Sequence, residues 1–357
     1  MSGMPPIPGS PFFLDHLIGL LFLVHVLFMN YVLAAPFVAS AMLLVSGKAA
    51  IPKVRMMAGT HTVAYTFAIN SGVAVLLFVQ VIYGKYFFTA NTIMGWSWLA
   101  LIALLLISFY GSYAFKSYLK RVSVNPRNAA LIGLANGILL IAIAIIMITN
   151  YLIGTSEQQW RQLLLSPGIV HASQMFLPRF FHYLIGSVAV CGFWMSWIGE
   201  FKLGADSGNT DASALRKEGL HIASAATGVQ VLTGIWFLFS VPADTLNRLL
   251  SGSFISMVWI SGVISGLLML AALSLAMVKQ GKTIWQSIAT GLLIWTIFGM
   301  IAGRDILRHS ALGTDFNLKT MPYETQTGAM ALFLVLLLLG IGVSIYLIRL
   351  VRPGQQK

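Results

Sequence analysis

The sequence predicts an all-α, polytopic membrane helix bundle of about nine transmembrane helices, with the N-terminus outside and the C-terminus in the cytoplasm. Three observations predict it. Hydrophobic residues make up 58% of the chain and charged residues only 9%, whereas a soluble domain carries about 25% charged residues. The mean hydropathy is +0.84. The apolar residues also gather into separate runs of about 20, the length at which a helix crosses a hydrocarbon core of about 30 Å.

In order, the runs cover roughly 17–45, 60–83, 96–116, 129–153, 178–198, 219–241, 254–278, 284–303 and 328–349. Helix is the form each run takes, because a lone strand leaves its backbone groups unsatisfied in lipid. The opening stretch, MSGMPPIPGSPFFLDH, has no basic region and no small-residue cleavage site. The first run is therefore expected to be a retained span. The last run, AMALFLVLLLLGIGVSIYLIRLVR, has no polar landmark and is expected to face lipid. The longest loops are 154–177 and 304–327 on one side and 199–218 on the other, and GADSGNTDAS in the last reads as a flexible linker. No hydrophilic stretch divides two folding units, so residues 1–357 read as a single integral membrane domain.

Orientation follows from the basic residues. One set of loops, with the C-terminus, holds fifteen Lys and Arg, among them Lys48, Lys53, Arg55, Lys116, Arg127, Lys202, Arg216 and Lys279. The opposite set holds seven: Lys85, Arg161, Arg179, Arg248, Arg304, Arg308 and Lys319. The positive-inside rule places the richer set in the cytoplasm. The net charge of +12 is thus topological and requires no nucleic acid. Cys191 is the single cysteine, which excludes an internal disulfide, a cysteine-built zinc site and a C-x-x-C-H haem attachment.

Ionisable residues inside a membrane mark function by default. His25 lies about 15 Å below the outer rim at 1.5 Å per residue, in GLLFLVHVLFMNYVL, and His182 lies about one turn in, in RFFHYLIGS. Each is either a neutral histidine bonded to a neighbouring backbone carbonyl or a metal or haem ligand, imidazole being the commonest metal ligand. For haem, His182 would supply an axial nitrogen, Gly186 a flat face beside it and Arg179 a cation for the propionates. His61 and His221 begin their spans at the inner face. They leave room for an inner haem, although two interfacial histidines are the simpler reading. His16 is expected to cap or snorkel, and His171 and His309 to be solvated in loops. The ten acidic residues fall in loops or at helix ends, so no carboxylate lies deep in a span. The buried amides, including Asn136, Asn150 and Gln230, are expected to bond helix to helix.

LLFLVHVLFMNYVLAAPF, FAINSGVAVLLFVQVIYGKYFFTANTIMG and RFFHYLIGSVAVCGFW, in that order, resemble the first, second and fifth spans of subunit I of cytochrome bd quinol oxidases. The resemblance implies that His25 matches a haem ligand of the first span and that His182 matches the histidine of the low-spin b haem. It implies that Met257, in SFISMVWISG, is the methionine opposite His182. The chain also departs from the family. WSWLALIALLLISFY lacks the two glutamates of the third span, IWTIFGMIAG lacks the glutamate ligand of the eighth, and PADTLNRLLSGS stands where the family has a long quinol-binding loop.

The leading expectation is a haem b-binding subunit of a respiratory electron-transfer complex in the bacterial cytoplasmic membrane. One haem b, with room for a second, would pass electrons between membrane quinol and an outer partner such as a c-type cytochrome, docked near 154–177 and 304–327, where Arg304 and Arg308 would meet its acidic groups. It would be an oxidoreductase subunit that does not reduce oxygen by itself, since the carboxylates of a proton path are missing. The alternatives are a cofactor-free structural subunit of a redox complex and a membrane transporter.

Overall fold

The computed structural model describes residues 6–165, 174–279, 283–313 and 316–351. Twelve α-helices follow one another: α1 (Pro11–Ser46), α2 (Ile51–Ile82), α3 (Gly84–Met94), α4 (Trp96–Leu119), α5 (Pro126–Gly154), α6 (Trp160–Leu165), α7 (Phe176–Ala205), α8 (Thr210–Phe239), α9 (Ala243–Leu249), α10 (Phe254–Val278), α11 (Thr283–Leu312) and α12 (Thr327–Val351). Seven apolar stretches among the described residues are long enough to cross a membrane, and the first, Pro11–Ile82, takes in both α1 and α2. The chain is a multi-pass membrane protein built as a helical bundle. The end where α1 begins and α11 finishes is called the outer end below, after the orientation expected from the distribution of Lys and Arg.

Local chemistry sets the helix ends. Asn125 caps α5 by accepting from the amides of Arg127 and Asn128, with Pro126 at the first helical position, where its missing N–H costs nothing. Asn209 and Ser253 cap α8 and α10 in the same way. Gly47 closes α1 at φ +56°, a backbone that a residue with a Cβ rarely adopts, and a short 3₁₀ turn then reverses the chain into α2.

The helices pack as two groups of four. α1, α2, α4 and α5 enclose a core around Tyr31, Met57, Tyr65 and Leu119. α7, α8, α10 and α11 enclose a second around Phe193, Leu273, Leu293 and Ile297. α1 and α7 join the two, and Trp194 of α7 donates its indole N–H to the carbonyl of Leu27 at 3.1 Å while stacking on Tyr31. Within the second group the hairpins close by removing side chains. A Cβ at Gly262 would lie 2.7 Å from the Cα of Gly299, so α10 and α11 touch backbone to backbone. α7 and α8 do the same toward the inner end, where a Cβ at Gly192, Gly199 or Gly219 would run into the facing main chain.

Charged clasps lie at both ends. At the inner end Lys53 pairs with Glu218, and Arg216 reaches Glu200 at 2.7 Å and the side-chain oxygen Oε1 of Gln286 at 3.1 Å. At the outer end, Arg304, Asp305, Arg308 and His309 do not lie in a loop, as the sequence predicted. α11 continues nine residues past Gly303, to Leu312, and Asp305 and Arg308 are buried. The reason is pairing. Ile301, Ile306 and Leu312 bury in three separate apolar clusters while Arg304 and Arg308 are neutralised by Asp305 and Asp15, so hydropathy falls before the helix ends. α2 likewise begins at Ile51, ahead of the predicted start at 60, because Lys53 is neutralised by Glu218.

Candidate functional site

His182, Gly186 and Arg179 of α7 share one face, three to four residues apart, and that face meets α8 in the outer half of the bundle. There the two helices are held apart by side chains. A Cβ at Gly186 would lie 3.2 Å from the Gln230 amide nitrogen, and a Cβ at Gly234 would lie 3.3 Å from Cε1 of His182. Each helix therefore presents a polar residue followed four positions on by glycine, and each glycine receives the polar side chain opposite. The imidazole sits between Gln230, Thr233 and Phe237, with the Phe237 ring centre 5.9 Å away.

The Gln230 amide nitrogen is 3.0 Å from both ring nitrogens of His182. Thr233 Oγ1 lies 3.4 Å from Nδ1. Four polar atoms near this face are buried with no hydrogen-bond partner: Nε and Nη1 of Arg179, the phenol oxygen of Tyr151 on α5, and Oε1 of Gln230. Arg179 is 3% exposed, and its guanidinium lies 4.6 Å from the Tyr151 ring centre and 5.4 Å from that of Phe237. Two aromatic faces cradle the cation, and no carboxylate among the described residues pairs with it.

The Arg179 side of this arrangement suits an anionic group such as a propionate, whereas a ligand on either ring nitrogen of His182 would have to displace the Gln230 amide. A guanidinium cannot shed its charge, and burying it unpaired is costly. The Arg179 cluster therefore has unmet demand for an anion such as a propionate. Gly186 makes room for the Gln230 amide and Gly234 for the imidazole.

His25 occupies a different face. Its Nδ1 is 2.8 Å from the Ala68 carbonyl on α2, so Nδ1 carries the proton and Nε2 the lone pair. A Cβ at Gly72 would lie 2.7 Å from the His25 ring, which is a second pairing of histidine with a facing glycine. His25 looks toward α2 and His182 toward α8, so the two do not converge on one site.

The remaining predicted residues are not brought to His182. Met257 is 54% exposed at the start of α10. The α10 residues that meet α11, Trp259, Gly262, Ser265 and Gly266, occupy other positions around that helix. His61 is 4% exposed and donates through Nε2 to the Val32 carbonyl at 3.0 Å, on the α1 side. His221 is exposed and bonds through Nδ1 to the Lys217 carbonyl of its own helix at 2.7 Å. The structure does not bring His61 and His221 together. His16 bonds to the Phe12 carbonyl, and His171 lies outside the described residues.

A second buried group stands at the outer end. Tyr83 donates its phenol to Asp15 at 2.7 Å, and the same oxygen lies 2.9 Å from Nε2 of His309. Burial raises the Tyr83 pKa well above the ordinary phenol range, while Arg308 pulls it the other way. Tyr83 therefore keeps its proton at neutral pH. His309 is thus a helix residue in a bonded chain, not the solvated loop histidine expected.

No protein-family model and no curated relative matches the sequence. Among solved structures, a chain from the structure of bd oxidase from Geobacillus thermodenitrificans aligns with a TM-score of 0.74 and 11% identity, over 98% of this chain and 100% of that one. The chain has the fold of a bd oxidase chain. At that identity the likeness reaches the helix arrangement and not the side chains, so the resemblance first carried by the His25, Asn70 and His182 segments extends to architecture along nearly the whole length.

Sequence reasoning passed over the other half of the site. Gln230 stood out only as a buried amide, and Tyr151, Thr233, Gly234 and Phe237 not at all. One signal was present. QVLTG at 230–234 repeats the spacing of HYLIG at 182–186, a polar residue with glycine four positions on, and an antiparallel hairpin sets two such faces against each other.

Proposed function

We propose that the chain is a single integral membrane unit that binds haem b at His182 in a respiratory electron-transfer complex of the bacterial cytoplasmic membrane, linking membrane quinol to a redox partner at the outer face. The observation that carries this reading is the buried guanidinium of Arg179, with no carboxylate partner among the described residues, one helical turn from the imidazole of His182. His182 supplies the axial nitrogen, Arg179 and Tyr151 take the anionic edge, and Phe237 shields the site. Bound there, a haem b supplies a one-electron couple whose potential the axial ligand and local dielectric set. His25 is a candidate for a second haem, with Nε2 presented and Nδ1 anchored on Ala68.

Arg304 and Arg308, expected to greet a partner, are committed to Asp305 and Asp15 instead, so a partner would have to meet other outer residues. The proton path that oxygen reduction needs is not carried by the described spans. Asp15 and Asp305 sit at the outer end, and Glu200 and Glu218 at the inner end. The chain is therefore read as an electron-transfer subunit and not as an oxygen reductase in its own right.

The absorption spectrum of the purified protein tests the proposal. A sharp reduced-minus-oxidised haem b band is expected. A colourless, folded protein would favour the second reading, a cofactor-free structural subunit, for which the observation is that Gln230 and Phe237 already pack against the imidazole.

A further inference from the structure

We propose that the inner corner between α2 and α4 binds the phosphate of an anionic phospholipid through Arg55, Lys116, Lys120 and Arg121. No acidic residue occurs between Asp15 and Glu157. The seven Lys and Arg at the inner ends of α1, α2, α4 and α5, from Lys48 to Arg127, therefore have no carboxylate within their own group of helices. Lys53 pairs with Glu218 of α8. None of the others pairs with a carboxylate among the described residues. The second group of helices is built differently, with Glu200, Asp206, Asp211 and Glu218 at or between the inner ends of α7 and α8. The positive-inside rule asks that basic residues be kept on one side. It does not ask that half of that side be free of acids.

Four of these cations gather at one corner. Arg55 donates through Nε to the Leu119 carbonyl at 2.7 Å and through Nη2 to the Arg121 carbonyl at 3.4 Å, which ties α2 to the last turn of α4. The Arg121 guanidinium lies 4.9 Å from the Tyr118 ring centre. Lys116 and Lys120 are four residues apart on α4 and share a face, and Lys116 donates across to Thr62 Oγ1 of α2 at 3.1 Å. The negative end of α4 accounts for Arg55, which satisfies its closing carbonyls, but about half a unit of charge does not offset four cations. Like charges one turn apart repel, so the corner favours an anion from outside the chain.

Depth selects the kind of anion. Lys116 lies one turn, about 6 Å, further into the bundle than Lys120. The surface beside it is apolar: Tyr113, one turn deeper, is 43% exposed, and Val63, next to Thr62, is 54% exposed. A free phosphate would have to leave water to reach that height. A phospholipid carries its phosphate at the boundary already, with acyl chains to lie along Tyr113 and Val63. Basic pockets between spans at the cytoplasmic face are recurrent headgroup sites for this reason.

Native mass spectrometry of the full chain, titrated in detergent with phosphatidylglycerol or phosphatidylcholine of equal chain length, tests the site. One phosphatidylglycerol is expected to bind in preference to phosphatidylcholine. Lys116→Gln with Lys120→Gln is expected to weaken it about 25-fold, about fivefold per cation; the amide at 116 keeps a donor for Thr62, so the fold is not at stake. Lys116→Arg with Lys120→Arg should bind as the wild type does, and so should Lys202→Gln with Lys217→Gln, at the inner end of the second group. Equal binding of the two lipids overturns the proposal. So does an equal loss in the Lys202 and Lys217 control, which would make net charge the cause, or a loss in the arginine variant, which would make side-chain shape the cause. Displacement of the lipid by millimolar inorganic phosphate would reveal a free-anion site instead and would also overturn it.

Discussion

Arg308 and Asp15 are 293 residues apart in the sequence and 3.5 Å apart in the fold. The guanidinium also holds Asp305 at 2.6 Å, Arg304 reaches the same carboxylate at 3.0 Å, and Tyr83 completes the set from the turn between α2 and α3. Two cations and two carboxylates meet where α1 enters the bundle and α11 leaves it. Removing one member strands charges that burial has stripped of water.

Arg308→Met is accordingly expected to lower stability by about 3–5 kcal/mol, measured by unfolding in detergent. Adding Asp305→Asn to the same protein should recover part of the loss. If the single variant unfolds like the wild type, the cluster is not structural.

His182→Ala should abolish or strongly deplete one b haem while membrane insertion persists, read from haem content per inserted protein. His25→Ala should leave that band in place, because the two rings face different neighbours, Gly72 on one side and Gly234 on the other. A band that survives His182→Ala and disappears with His25→Ala would reverse the assignment.

Arg179 should show opposite effects in empty and loaded protein. Without an anion, Arg179→Leu replaces an unpaired buried charge by an apolar group and should stabilise the fold by about 1–4 kcal/mol. With haem present it should weaken retention by about 2–5 kcal/mol, since the anionic edge loses its partner. Thermal unfolding of the apo form and haem dissociation kinetics read the two arms. Destabilisation of the apo form would mean that the guanidinium already has its counter-charge.

Met257→Ala should change neither spectrum nor midpoint, because the side chain lies on the exposed side of α10. Loss of the low-spin spectrum would show that the outer turn of α10 closes over the iron, as the family resemblance implies.

The fold was legible in the sequence because hydropathy reports the solvent directly: runs of about 20 apolar residues have one form in lipid. What hydropathy hides is charge neutralised by a partner far along the chain. Lys53, Asp305 and Arg308 read as loop residues until Glu218 and Asp15 are placed beside them. The site was half legible for a related reason. Depth marked His182, and a rim position marked Arg179. Nothing in a single sequence says which of the other helices faces them, so Tyr151 and Thr233 carried no signal. Gln230 and Gly234 did, through spacing alone.

The glycine ladder of α7 and α8 has a consequence for how the protein is made. Gly192, Gly199 and Gly219 bring the two main chains together at the inner half without help from any bound group. The hairpin can thus form as soon as both segments have left the ribosome, and its outer half, propped open by Gln230 and His182, is complete before any prosthetic group arrives. Uptake of the proposed haem would then be a late, separable step into a hairpin whose inner half is already closed.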